Sequence, residues 1–180
     1  MGRQYFQDLL GNITVDGTPV ANTTTETAVH PSFVLPGNYM QDGRTLRIRA
    51  FGKLSVTGTP TIIFALRWGT AAGTLLATTE AITNGSGSTN VNWSIEAYIQ
   101  VRANGSSGSL FVMGEAKVQT NASGDPTVKT NVFGVSGSDA PAAVTVNLMQ
   151  DTDLALTAKW SAASSSNTLT CHLFSVEALN

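Results

Sequence analysis

Val91 to Val101 constrains this chain more than any other segment. Val91, Trp93, Ile95, Ala97, Ile99 and Val101 alternate with Asn92, Ser94, Glu96, Tyr98 and Gln100. A helix would scatter the apolar set around its circumference. Only a period of two collects it on one face, so the segment is a β-strand with one buried side. Turn-forming clusters bound it, Asn84-Gly85-Ser86-Gly87 before and Asn104-Gly105-Ser106-Ser107-Gly108 after. The second cluster predicts an antiparallel hairpin joining Val91–Ala103 to Leu110–Gln119.

The same reading extends along the chain. From Arg44 to Ala50, Leu46, Ile48 and Ala50 point one way and Thr45, Arg47 and Arg49 the other. Thr61 to Trp68 carries Ile62, Ile63, Phe64 and Leu66, a run covered on both faces if it is a strand. Thr74–Thr83 follows an Ala71-Ala72-Gly73 turn, and Val128–Val135, Val144–Leu148, Leu154–Trp160 and Thr168–Leu179 complete the set. In the last, Leu169, Cys171 and Leu173 alternate, then Phe174, Val176 and Ala178 do. That change of phase predicts a bulge or a doubly buried strand. Eight to ten strands with turns at short intervals predict an all-β, two-sheet antiparallel sandwich of jelly-roll type. One short helical turn is expected, at Gln4–Leu10.

Composition narrows the function classes. Charged residues make up 12% of the 180, and the formal net charge is −2. A coiled coil or helical bundle needs far more Glu, Lys and Arg. Nucleic acid and anionic membrane surfaces need a basic footprint, so neither is expected as a partner. No apolar run approaches the ~20 residues that span a bilayer. The N-terminus lacks the apolar core of a signal peptide, so synthesis in a cytoplasm without standard export is expected. The single Cys171 sits in an alternating apolar run and reads as a small buried hydrophobe.

Few groups could carry catalysis. His30 precedes Pro31, which favours an extended backbone, and His172 alternates with core residues of the last strand. A Ser175–His172 pair lacks a nucleophile elbow around it. One Cys and two distant His do not make a zinc site, and Asp151-Thr152-Asp153 reads as a turn rather than a calcium loop. No phosphate-binding glycine loop is present. Sequons at Asn12, Asn22, Asn84, Asn92, Asn104 and Asn121 follow from a Ser/Thr-rich composition. Trp68, Trp93 and Trp160 read as core, leaving Tyr39 and Tyr98 as the aromatics expected at the surface. The expectation is a non-enzymatic protein without catalytic residues, metal or cofactor.

Residues 1–27 differ from the rest. Gly11–Thr27 is rich in Thr, Asn and Gly, and Tyr5, Phe6, Leu9 and Leu10 form a small apolar patch before it. This is an extended arm, either a docking segment or a first strand folded back on residues 28–180.

A further pattern runs through Gly43-Arg44-Thr45-Leu46-Arg47-Ile48-Arg49-Ala50-Phe51-Gly52 and Gly58-Thr59-Pro60-Thr61-Ile62-Ile63-Phe64-Ala65-Leu66-Arg67-Trp68-Gly69. It continues in Thr89–Glu96, Gly105–Gly108 and Leu156–His172. From Gly43 to Asn180 the chain resembles virion structural proteins encoded among the head and tail genes of tailed bacteriophages. That resemblance implies a jelly roll assembling on a phage particle, often as a homotrimer. Capsid decoration on the outer surface of the virion, with the major capsid protein as partner, is one implied role. A tail-tip or fibre-head domain binding host glycan is the other. For decoration, the candidate contacts are Tyr5, Phe6, Leu9 and Leu10 of the arm and Arg44, Arg47 and Arg49, the last three also readable as a solvated strand face.

Overall fold

A computed structural model of the chain describes residues 7–120, 127–135 and 140–179. These hold fourteen strands and form an all-β sandwich. The eight longest are β5 (Thr45–Ser55), β6 (Thr61–Trp68), β7 (Thr74–Thr79), β9 (Val91–Ala103), β10 (Gly108–Gln119), β11 (Val128–Gly134), β13 (Thr152–Trp160) and β14 (Thr168–Ala178). Counted among themselves, the first pairs with the last, the second with the seventh, the third with the sixth and the fourth with the fifth. This nesting is that of a long hairpin rolled on itself, the jelly-roll principle. One sheet runs β14-β5-β9-β10-β11; β11 then turns into the second, β7-β6-β13. Every strand pair is antiparallel.

Six short strands border these: β1 (Asp8–Asn12), β2 (Val20–Ala21), β3 (Thr27–Ala28), β4 (Val34–Leu35), β8 (Ile82–Thr83) and β12 (Ala143–Val146). The predicted hairpin is present, with β9 and β10 joined through Gly105 at φ 114°. The expected Thr74–Thr83 run is interrupted, and its end, β8, pairs separately with the start of β6. At the break the Thr79 hydroxyl accepts the Phe64 N–H at 3.1 Å, replacing a backbone partner. Ile62, Phe64, Leu66 and Trp68 of β6 face the core, while Ile63 and Arg67 on its other face are only half-buried.

The core lies between the sheets. Phe64 of β6 meets Trp93 of β9 at 5.3 Å between ring centroids. All three tryptophans are buried as expected, and each indole N–H has an acceptor: Asn147 O for Trp68, Lys53 O for Trp93 and Val20 O for Trp160. A buried indole would otherwise lose a hydrogen bond to water with no replacement. Gly52 of β5 faces this core. A Cβ there would stand 2.8 Å from the Trp93 ring and collide with the Thr170 carbonyl, so only glycine lets the indole close up against the strand.

The phase change in the last strand is a β-bulge. β14 pairs Cys171 with Gly52 and Leu173 with Phe51, leaving His172 as the extra residue. Leu169 and Cys171 before it and Phe174, Val176 and Ala178 after it all point inward, and Leu173 is turned out to solvent.

The described part of the arm lies against the sandwich. β1 is the edge strand beside β14, β2 also pairs β14, and β3 pairs β13. Leu9 and Leu10 therefore sit in a strand and not in the expected helical turn; residues 4–6 of that turn lie outside the described residues. The free hydrogen-bonding edge of β14 is the physical reason, because an extended segment satisfies it and a helical turn does not. A pairing irregularity between Leu9 and Gly11 turns Leu10 toward the core.

Candidate functional site

The outer face of the β1-β14-β5-β9-β10-β11 sheet is where chemistry and exposure meet. Its inward positions carry the core, so outward positions follow by alternation and register carries them across the sheet. One row runs Leu173, Phe51, Ser94, Lys117 and Thr130. The next runs Ser175, Arg49, Glu96, Glu115 and Val132, and a third Glu177, Arg47, Tyr98 and Met113.

The middle of this face is a charge ladder. Glu177 is buried against both Arg47 and Arg49, the second at 3.2 Å, and accepts a hydrogen bond from Gln7 Nε2 at 2.5 Å. The Arg47 hydrogen bond, helped by that from Arg49, lowers the Glu177 pKa against the opposing effect of burial. The same contact raises the Arg47 pKa. The Tyr98 hydroxyl donates to Glu96 at 2.5 Å, which raises the phenol's pKa, and Lys117 pairs with Glu115 at 2.5 Å. Opposite charges meet across β5 and β14 at Glu177 and within β10 at Lys117 and Glu115, so the ladder is largely self-compensated although Glu96 stands opposite Glu115 in register.

Apolar groups flank the ladder. Toward the β1 edge, Leu9 (54% exposed), Leu173 (62%) and Phe51 (41%) stand around a groove of about 400 Å³ whose walls include Ile13, Arg49 and Glu177. On the other side of Phe51 a second cleft, about 420 Å³, crosses β9 and β10 to Val128. The Phe51 ring is the ridge between the two.

Of the sequence-derived contact residues, Leu9 lines the groove and Leu10 packs beneath it. Arg47 and Arg49 reach the ladder. Arg44 does not join them: it precedes β5, and its guanidinium lies 4.3 Å from the centroid of the Tyr39 ring. The three arginines therefore form no single stripe, because Arg44 has the opposite parity from Arg47 and Arg49. Tyr5 and Phe6 lie outside the described residues. Phe51 and Leu173 were missed. Extending the outward parity of Arg47 and Arg49 by one step reaches Phe51, and allowing one extra residue at His172 turns Leu173 outward.

Elsewhere the polar groups serve the fold. Burial lowers the pKa of His30, against smaller raising effects from the Pro31 carbonyl and Asp153. Its Nε2 accepts the Leu156 N–H at 3.0 Å, its Nδ1 lies 2.5 Å from the Pro31 carbonyl, and its ring stacks on Phe174 at 3.7 Å. It is thus the neutral tautomer protonated at Nδ1. His172 pairs with Asp16 at 2.8 Å. Asp151 accepts the Gly37 N–H at 2.8 Å and Asp153 the Ser32 hydroxyl, so both carboxylates tie loops. Burial pushes the Cys171 thiol up to about 12, which keeps it unreactive. Among the described residues, no three His, Cys, Asp or Glu side chains group as metal ligands.

No protein-family model matches the chain, and no curated protein matches it. Among solved structures, it is similar to the CBM2 module of the Lactobacillus casei BL23 phage J-1 evolved Dit. Identity is 13% and the TM-score 0.32, over 81% of this chain and 67% of that one.

Proposed function

We propose that this chain is a non-enzymatic structural protein of a tailed-bacteriophage virion, a capsid decoration protein that binds the outer surface of the major capsid lattice. The observation that carries this reading is the groove between β1 and β5. Leu9, Leu173 and Phe51 stand exposed together around an ion cluster that already satisfies itself. Grouped apolar exposure rimmed by paired polar groups is the chemistry of a protein-docking face. The sequence resemblance of residues 43–180 to phage virion proteins supports a structural role on a phage particle.

In this reading Leu9 and Leu173 bury apolar surface against the capsid subunit, while Arg47 and Arg49 remain held by Glu177 and set the groove's shape. The protein acts as a homotrimer, so that each weak docking site is repeated. Binding to the assembled lattice and not to dissociated subunits stabilises the lattice by mass action, and repetition adds avidity.

The test is particle stability. Particles lacking the protein should lose their genome at lower temperature and under milder osmotic shock than complete ones. Adding back the wild-type chain should restore resistance, and adding back Leu173→Ser should not. Equal resistance with and without the protein overturns the reading.

A further inference from the structure

The cleft on the far side of Phe51 has a different chemistry from the docking groove. Neighbouring strands lie about 4.8 Å apart, so Phe51 on β5 and Val128 on β11, three strands away, bracket a trough roughly 14 Å wide. Small outward residues on β9, Asn92 and Ser94, make the dip between them. The volume of about 420 Å³ falls in the range of small-molecule sites.

We propose that this cleft binds a neutral saccharide, with the Phe51 ring as stacking surface and Asn92 and Ser94 as hydrogen-bonding partners. Three observations select that ligand class. First, the charged side chain among the described residues that line the cleft, Lys117, is already held by Glu115 at 2.5 Å, so an anion seated there would have to compete with that pair. Second, a wholly apolar ligand would cover the Asn92 carboxamide and the Ser94 hydroxyl without replacing their bonds to water, which is costly. A sugar presents hydroxyls to these groups and an apolar ring face to Phe51. Third, an extended peptide gains affinity by adding to a free strand edge. Here β5, β9 and β10 are each paired on both sides, and β11 pairs β10 along Val128–Val132 and β7 only at Phe133 and Gly134, so its free edge points away from the cleft floor. The trough is open rather than enclosed, which suits an internal unit of a longer glycan.

This inference stands apart from the docking role, because it uses the opposite side of Phe51. It is tested by applying the purified full chain to a printed array of neutral bacterial and plant oligosaccharides. The best-bound oligosaccharide is then titrated calorimetrically against variants. Phe51→Ala and Asn92→Ala should each weaken binding about ten-fold, the worth of one aromatic contact or one polar contact in a small site. Leu173→Ser, which lines only the docking groove, should bind as wild type. Both cleft residues are on the solvent face, and unchanged thermal unfolding of the variants separates lost binding from lost folding. Absence of binding to every neutral glycan overturns the proposal, as does an affinity unchanged in both cleft variants. A loss with Leu173→Ser equal to that with Asn92→Ala overturns it too. The particle-stability result depends on Leu9 and Leu173 and does not bear on any of these outcomes.

Discussion

At the scale of single residues, His30 links sequence to stability most directly. The backbone leaves the ladder between β3 and β4, and the imidazole fills the gap by accepting the Leu156 N–H. Protonation would set a second N–H against that donor, inside a stack with Phe174. Burial accordingly lowers the His30 pKa from its ordinary 6.5. The unfolded chain binds this proton more readily than the folded one, so stability rises with pH in this window. The contribution is complete above the unfolded value and is lost as pH falls from it toward the folded value. The melting temperature should therefore drop between about pH 7.5 and about pH 5. His30→Gln, whose carbonyl oxygen can accept the same N–H, should flatten that slope. The further decline below pH 4.5, where the unfolded chain takes up a proton at Glu177 that the folded carboxylate, held by Arg47, still resists, should remain. A slope unchanged by His30→Gln would show that other groups set it.

At the scale of elements, the bulge in β14 does for the sheet what His30 does locally. Removing His172 leaves Leu169, Cys171, Phe174, Val176 and Ala178 in uninterrupted alternation, all still inward. Deleting His172 should therefore preserve the fold, losing chiefly the Asp16 contact, with a cost of about 1 kcal/mol in urea unfolding. Deleting Thr170 should cost at least about 2 kcal/mol, because one of its inward neighbours must then turn to solvent. Equal destabilisation by the two deletions would contradict this assignment of the extra residue.

The same strands show what was legible in the sequence. β5, β9 and β10 announced themselves because one buried face imposes a period of two over seven or more residues, while β13 shows that alternation although Ala155 and Thr157 are buried too, and β14 shows it in two stretches offset at His172. β2, β3 and β4 have two residues each, too few for any period, and exist because neighbouring strands offer them free backbone groups. The site was half legible for a similar reason. Parity puts Arg47 and Arg49 on one face, but their shared partner Glu177 is set by a pairing between chain segments that local pattern does not carry. Leu173 needed the bulge located to the residue.

At the scale of the whole molecule, scarce charge takes on a structural meaning. The charged side chains of the larger sheet's outer face pair mainly with one another, so the apolar groups beside them are its most available surface. The sandwich offers one such face with two uses side by side, a groove toward β1 and a cleft toward β11. Electron cryomicroscopy of intact particles tests this account most directly. It predicts density for the sandwich on the outside of the capsid, with Leu9 and Leu173 turned toward the shell and the Val128 side left open. Density confined to the tail, or a capsid-bound sandwich that meets the shell through the β7-β6-β13 sheet, would contradict it.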